Sequence, residues 1–162
     1  MPPSGRHLRV SPANSSPFTV VSRHVEAAPE QVFAVVSDAW LIPIWLVGAA
    51  HVRDVDDGWP SVGAKLHHSI GAWPMLISDT TEIVEIDRPR LIAFHARMWP
   101  LGEAIVKMQF EPDGAGCSVT MAERPDRGPG LWADNPLLRF WLRRRNIESV
   151  ARLASVAEKR HV

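Results

Sequence analysis

The side chains that could move a proton or hold a charge lie on a few short stretches of this chain. His67 and His68 are adjacent in the run Lys65-Leu66-His67-His68-Ser69-Ile70. Successive strand residues point to opposite faces, so Leu66, His68 and Ile70 share one face while Lys65, His67 and Ser69 share the other. The apolar neighbours select His68 as the inward histidine. The same alternation argues against a metal at this pair, because neighbours that point apart cannot easily ligate one ion. An inward His68 has two readings: a core histidine satisfied by a backbone or carboxylate partner, or a group that moves protons. His95 alternates, with Arg97, opposite to Ile92, Phe94 and Met98, which places it on an outer face.

Glu123 shares strand parity with Cys117, Val119 and Met121 and falls at the strand end, where it either turns inward or frays into solvent. Glu82 alternates with Val84 and Ile86, and Glu103 stands beside a turn from which it could reach a rim. Near the C-terminus, Ile147, Val150, Leu153, Ala154 and Ala157 form one helical face. Extending that face backward puts Arg143 and Asn146 on it. An arginine on a core face needs an acceptor, and three arrangements meet that need: a carboxylate such as Glu123 or Glu82, an oxygen of a bound molecule, or an escape to the rim. Arg144 and Arg145 then face solvent, with Arg144 at pairing distance from Glu148.

The elements that carry these groups follow from local chemistry. Residues 1–16 are rich in Pro, Ser, Gly and Arg without periodicity, and read as a mobile tail ahead of a single domain over 17–160. A strand over Phe18 to Val25 stops at Pro29, which suits a first helical turn and predicts a helix to about Val36. Val32, Phe33, Val36 and Trp40 make its apolar face, and Asp38 can cap a second short helix that Pro43 cuts short. From Gly48 to Arg124, turn signals at 56–58, 71–74, 87–89, 100–102 and 112–114 separate six strands joined as antiparallel hairpins. A loop over 124–135, with the composition of a lid, leads to a long helix with Asp134 or Asn135 as cap, Pro136 in its first turn and an end near Lys159.

The 162 residues carry 18 basic and 18 acidic side chains, so no overall field draws the protein to nucleic acid or to an anionic membrane. Cys117 is the only cysteine, which excludes a disulfide framework and suits a reducing cytosol. No apolar run reaches the roughly 18 residues of a membrane span and no signal-peptide stretch is visible, so a cytoplasmic protein without stable membrane insertion is expected. No spacing matches a nucleophile elbow, a phosphate loop or a cysteine-rich metal site, and no cofactor or metal is expected.

One strand, two small helices, six more strands and a long helix predict an α+β fold: a curved antiparallel sheet of about seven strands around the last helix. That order, the segment Val84-Glu-Ile-Asp-Arg-Pro-Arg-Leu-Ile-Ala-Phe, the strand Gly116-Cys-Ser-Val-Thr-Met and the terminal helix resemble the START-like (SRPBCC) superfamily. The nearest likeness is its polyketide cyclase/dehydrase and lipid-transport branch. His67-His-Ser-Ile-Gly-Ala-Trp-Pro and Arg143-Arg-Arg-Asn are similar to an actinobacterial subgroup. The resemblance covers about residues 18–158 and implies a helix-grip fold with an internal cavity.

A fold of this kind hosts carriers, receptors and enzymes alike, so the inward side chains must separate them. The first reading is a carrier for a small hydrophobic molecule of lipid, polyketide or isoprenoid type. Its pocket would be lined by His68, Phe94, Met98, Val106, Met108, Met121, Arg143 and Asn146. Of the seven tryptophans, Trp73, Trp99 and Trp132 are available for its mouth and Trp141, on the long helix, for ligand contact, while Trp40 and Trp45 anchor the short helices. The second reading is a cyclase/dehydrase-like enzyme, in which His68 or Glu123 moves a proton and Arg143 stabilises an enolate oxygen. The third is a protein-interaction module with an incidental cavity and an unknown partner.

Overall fold

The computed structural model describes residues 18–72, 74–98, 102–128 and 135–160. The tail expected over 1–16 lies outside them. The chain runs β1 (Thr19–Val25), α1 (Pro29–Ser37), a 3-10 turn (Ala39–Leu41), α2 (Ile42–Trp45), β2 (Ala49–Val55), β3 (Lys65–Ala72), β4 (Met75–Asp87), β5 (Leu91–Met98), β6 (Gly102–Asp113), β7 (Gly116–Arg127) and α3 (Pro136–Lys159). All neighbours pair antiparallel in the order β1-β7-β6-β5-β4-β3-β2. Because β1 and β2 are opposite edges, the chain between them must cross the concave face, and α1 and α2 are that crossing. With α3 held in the curve, this is the helix-grip arrangement.

The helix ends follow their signals. Gln31 accepts from the Ala28 amide at 2.8 Å ahead of α1, Asp38 accepts from the Trp40 amide at 3.0 Å, and the Asn135 side chain caps α3 through the Leu137 amide at 2.9 Å. The core is densest where α1 meets β6 and β7. There Phe33 packs edge-on against Phe110, with ring centroids 5.9 Å apart, and Val32, Val36, Met108, Val119, Met121, Val150, Leu153 and Ala157 fill the space. Cys117 is buried in this region, and burial pushes its thiol up, so it stays protonated and packs as a small hydrophobe.

Three expectations about side-chain direction are corrected. Trp40 is exposed, because the 3-10 turn breaks the α1 periodicity and swings it out of the face of Val32 and Val36. Along α3 the buried side rotates. Val150, Leu153, Ala154 and Ala157 are buried as the pattern requires, and this half of α3 lies beside the β1–α1 corner, where the Glu26 amide donates to Glu158. The first half instead lies beside α2, where the Val47 amide donates to Ser149 Oγ at 3.1 Å, and there Leu142, Asn146 and Ser149 are buried. The inward side thus shifts by roughly a quarter turn between the halves. Arg143 and Ile147 are carried out to solvent, and Arg145 is carried in. Glu148 pairs with Arg152 at 2.8 Å rather than with Arg144.

Candidate functional site

The open half of the concave face holds a cavity of about 180 Å3 between α2, the start of α3 and strands β2 to β7. Ile42, Trp45, Leu46, Val52, Leu66, Phe94, Ala96 and Val106 give it an apolar wall, and Trp141 stands at its α3 side. Parity along each strand explains the wall: Leu66 and His68 on β3, Phe94 and Ala96 on β5, and Val106 on β6 all point inward. Trp59, which the sequence reading passed over, stacks on Phe94 at 6.2 Å and donates its indole N–H to the Ser37 carbonyl at 2.7 Å. It ties a wall residue to the end of α1.

Four polar residues of the wall matter for chemistry. His68 is 8 % exposed, and its Nε2 is 2.9 Å from Thr81 Oγ1. Burial pushes its pKa down, opposed by neighbouring Asp79 and assisted by Arg53 and His67, so near neutral pH the ring is uncharged. Glu123 turns inward and is 2 % exposed; its Oε2 meets Arg145 at 3.2 Å. A carboxylate buried this deeply requires a charged partner, and the guanidinium supplies it. Arg145 takes the place the sequence reading assigned to Arg143, and the rotation of α3 is the cause. Ser149 donates to the Arg145 carbonyl at 2.9 Å and holds Val47 of the cavity wall, linking helix and rim.

Several buried polar atoms of this region have no partner among the described residues: Trp45 Nε1, His68 Nδ1, Arg145 Nε and both side-chain heteroatoms of Asn146. The first three belong to cavity-lining residues. An indole N–H and a guanidinium N–H are donors only, so what completes them is an acceptor, an oxygen of water or of a bound molecule.

The remaining sequence expectations divide by place. Phe94, Val106 and Trp141 line the cavity beside His68. Met108 and Met121 face inward but are fully buried opposite one another in the packed core, where α1 fills the curve, and they do not reach the cavity wall. Asn146 is buried outside that wall. Trp73, Trp99, Trp132 and the Met98 side chain lie outside the described residues, as do residues 129–134 of the expected lid; the start of that lid is instead strand, because β7 continues to Arg127. Arg145, Thr81, Trp45 and Trp59 were missed. Parity with Leu66 and Phe94 could have found Thr81 once β4 was in register, since Thr81 sits opposite Leu66 and Ala96.

His95 is on the outer face as expected, in a charged network. Its Nε2 lies 2.9 Å from Glu103 and 3.5 Å from Asp126, and Arg97 is 3.3 Å from Glu103 and Arg124 3.8 Å from Asp126. These three potential ligands come together on the described surface. The flanking guanidiniums already offset both carboxylates, which suits an ion-pair cluster.

Among solved structures, a Nitrosomonas europaea protein superposes with a TM-score of 0.68 at 13% identity, over 93% of this chain and 99% of its own. A Rhodobacter sphaeroides protein gives 0.69 at 19% identity, over 89% and 93%. The di-domain ARO/CYC StfQ of the steffimycin biosynthetic pathway gives 0.67 at 12% identity, over 90% of this chain and 52% of its own, so one chain of this length spans about half of it. At such identities the likeness is one of fold. No curated protein matches the sequence. The family described as polyketide cyclase/dehydrase and lipid transport matches residues 19–158, nearly all of the chain, and with the grip fold and its cavity this match shows that the protein belongs to that family.

Proposed function

We propose that the protein binds one small, mainly hydrophobic molecule bearing an oxygen acceptor, and carries it without converting it. The observation behind this reading is the pairing of an apolar cavity wall with the unpartnered donors of Trp45 and Arg145 and the unpartnered Nδ1 of His68. Leaving a buried donor unmatched costs about 1–3 kcal/mol, so a ligand oxygen that meets one gains affinity and a fixed orientation. The volume of about 180 Å3 exceeds the roughly 150 Å3 of a cavity that takes benzene and is below the roughly 300 Å3 at which drug-sized pockets begin. A ring or a short chain fits; a longer tail has to leave past Trp141. Carriage is favoured over turnover because the Glu123 carboxylate is held in an ion pair with Arg145 at 3.2 Å, which gives it a structural partner within the protein.

Native mass spectrometry of protein purified from its native host tests this. One apolar molecule per chain, released unchanged by solvent, is the expected result. A consistently empty protein that also refuses hydrophobic probes overturns it.

A second reading, a cyclase/dehydrase-like enzyme, draws on His68 alone: an uncharged imidazole beside Asp79 with a free Nδ1 can accept a proton. If incubation of a bound candidate with the protein changes its structure, and His68→Ala abolishes that change while retaining the fold, carriage gives way to catalysis.

A further inference from the structure

The first turns of α3 put large apolar side chains where a water-soluble surface rarely has them. Leu137, Phe140 and Trp141 are 73, 62 and 56 % exposed. At spacings of three and four they form one stripe with Arg144, whose guanidinium lies over the Phe140 ring at 5.9 Å. Arg139 and Arg143, four apart, make a second row roughly a third of a turn round the helix from that stripe, from where their long side chains can reach toward the same surface. From Asn135 to Ile147 no acidic residue occurs, and none of the ion pairs among the described residues uses Arg139, Arg143 or Arg144. On the flank of Trp141 further along α3, exposed Ile44 of α2 adds to the apolar surface beside Glu148 and Arg152. Trp141 itself belongs both to this surface and to the cavity wall.

We propose that this face docks reversibly on an anionic lipid surface, setting the cavity mouth against the lipid. Exposed Leu, Phe and Trp beside unpaired Arg are the two signals that interfacial helices combine: shallow apolar burial and attraction to acidic headgroups. Neither suffices for stable attachment, which accords with a reversible contact and with the absence, among the described residues, of a helix able to span a membrane. The local charge works although the whole chain is neutral, because headgroup attraction falls off within about a Debye length, near 8 Å in physiological salt.

Two other occupants fit less well. A second copy meeting this face about a two-fold axis would bring the unpaired arginines against their own equivalents. A nucleic-acid strand would use the arginines and rings but has nothing to offer Leu137 and Ile44, which cannot stack on a base. The proposal depends on surface residues and not on the identity of the cargo.

Cosedimentation with phosphatidylcholine vesicles, with and without phosphatidylglycerol, tests it. The expected result is binding to the phosphatidylglycerol vesicles that weakens with added salt, and little binding to phosphatidylcholine alone. At about 1 kcal/mol per arginine, the Arg139→Gln/Arg143→Gln variant should bind about 30-fold more weakly. Leu137→Ser/Phe140→Ser should lose most of the binding that persists at raised salt, with unchanged circular dichroism. No binding of the unaltered protein, or binding that neither variant affects, overturns the proposal. So does equal binding to single-stranded DNA, or a concentration-dependent dimer that Leu137→Ser/Phe140→Ser dissolves. Native mass spectra of the same preparations keep the two readings apart, because a protein that docks but never holds a cargo defeats the carrier reading and leaves this one.

Discussion

The two ends of the concave face are built from the same strands and the same helix, yet one is filled and the other is hollow. At the filled end, α1 lies against β6 and β7, Phe33 meets Phe110 edge-on, and Met108, Met121, Leu153 and Ala157 are buried in the same apolar cluster. At the hollow end, the four-residue α2 is too short to fill the curve, and the space is edged by His68, Glu123 and Arg145. Only one helical turn is available there, so the sheet keeps a void and polar groups can be placed around it. Packing specifies the first end. At the second, one ion pair and a set of unmatched donors specify it.

The largest expected effect separates two neighbouring arginines. Arg145→Met strips the buried Glu123 carboxylate of its partner and should cost about 3–5 kcal/mol in chemical denaturation at neutral pH. Arg143→Met, made two residues earlier on the solvent side, should change stability by no more than about 0.5 kcal/mol. Similar losses for both would return Arg143 to the interior and break the assignment of the hollow end.

A smaller effect follows from adding the same volume at each end. Ala154→Leu at the filled end should cost about 1–3 kcal/mol through overpacking. Ala96→Leu, on the cavity wall, should be neutral or stabilising by up to about 1 kcal/mol, as cavity-filling changes are, and it should exclude the cargo. Equal penalties would mean that the hollow end is as full as the other.

These contrasts also mark what could be read from the chain alone. The strand and helix boundaries were legible because Pro29, Pro136, Asp38 and the Asp-Gly and Pro-Asp-Gly turns act locally, and Phe94, Val106 and His68 were legible because strand parity is strict. Glu123 was legible in parity, but its inward setting depends on Arg145, whose own direction depends on what α3 touches. Helical periodicity predicts one continuous buried stripe. It cannot anticipate that the helix leaves the β1–α1 corner for α2 and rotates its inward side, which is why Arg143 was preferred. The exposure of Trp40 has the same origin, since a 3-10 turn of three residues breaks a phase that sequence spacing assumes unbroken. Local rules therefore describe the filled end well and the hollow end poorly.

The smallest expected effect tests whether the hollow end is an apolar environment for charge. His68 is subject to two opposing influences, burial that lowers its pKa and Asp79 that raises it, and burial is the stronger. The unfolded chain binds a proton at the ordinary value of 6.5, while the folded protein resists doing so. The stabilisation linked to a neutral His68 is therefore complete above that value and is lost as pH falls from it toward the lower folded pKa. Between about pH 7.5 and about pH 5.5, the denaturation midpoint of the unaltered protein should fall further than that of His68→Gln, which can keep a contact to Thr81 but has no proton to bind. The two histidines adjacent in sequence supply the control: His67→Gln removes a half-exposed ring 3.5 Å from Asp56 on the other face of the strand and should leave the acid sensitivity of the hollow end in place. If His68→Gln falls as steeply as the parent, burial and Asp79 cancel and the hollow end is no apolar environment for charge; if it falls more steeply, Asp79 outweighs burial and an apolar ligand would have to share its cavity with a cation.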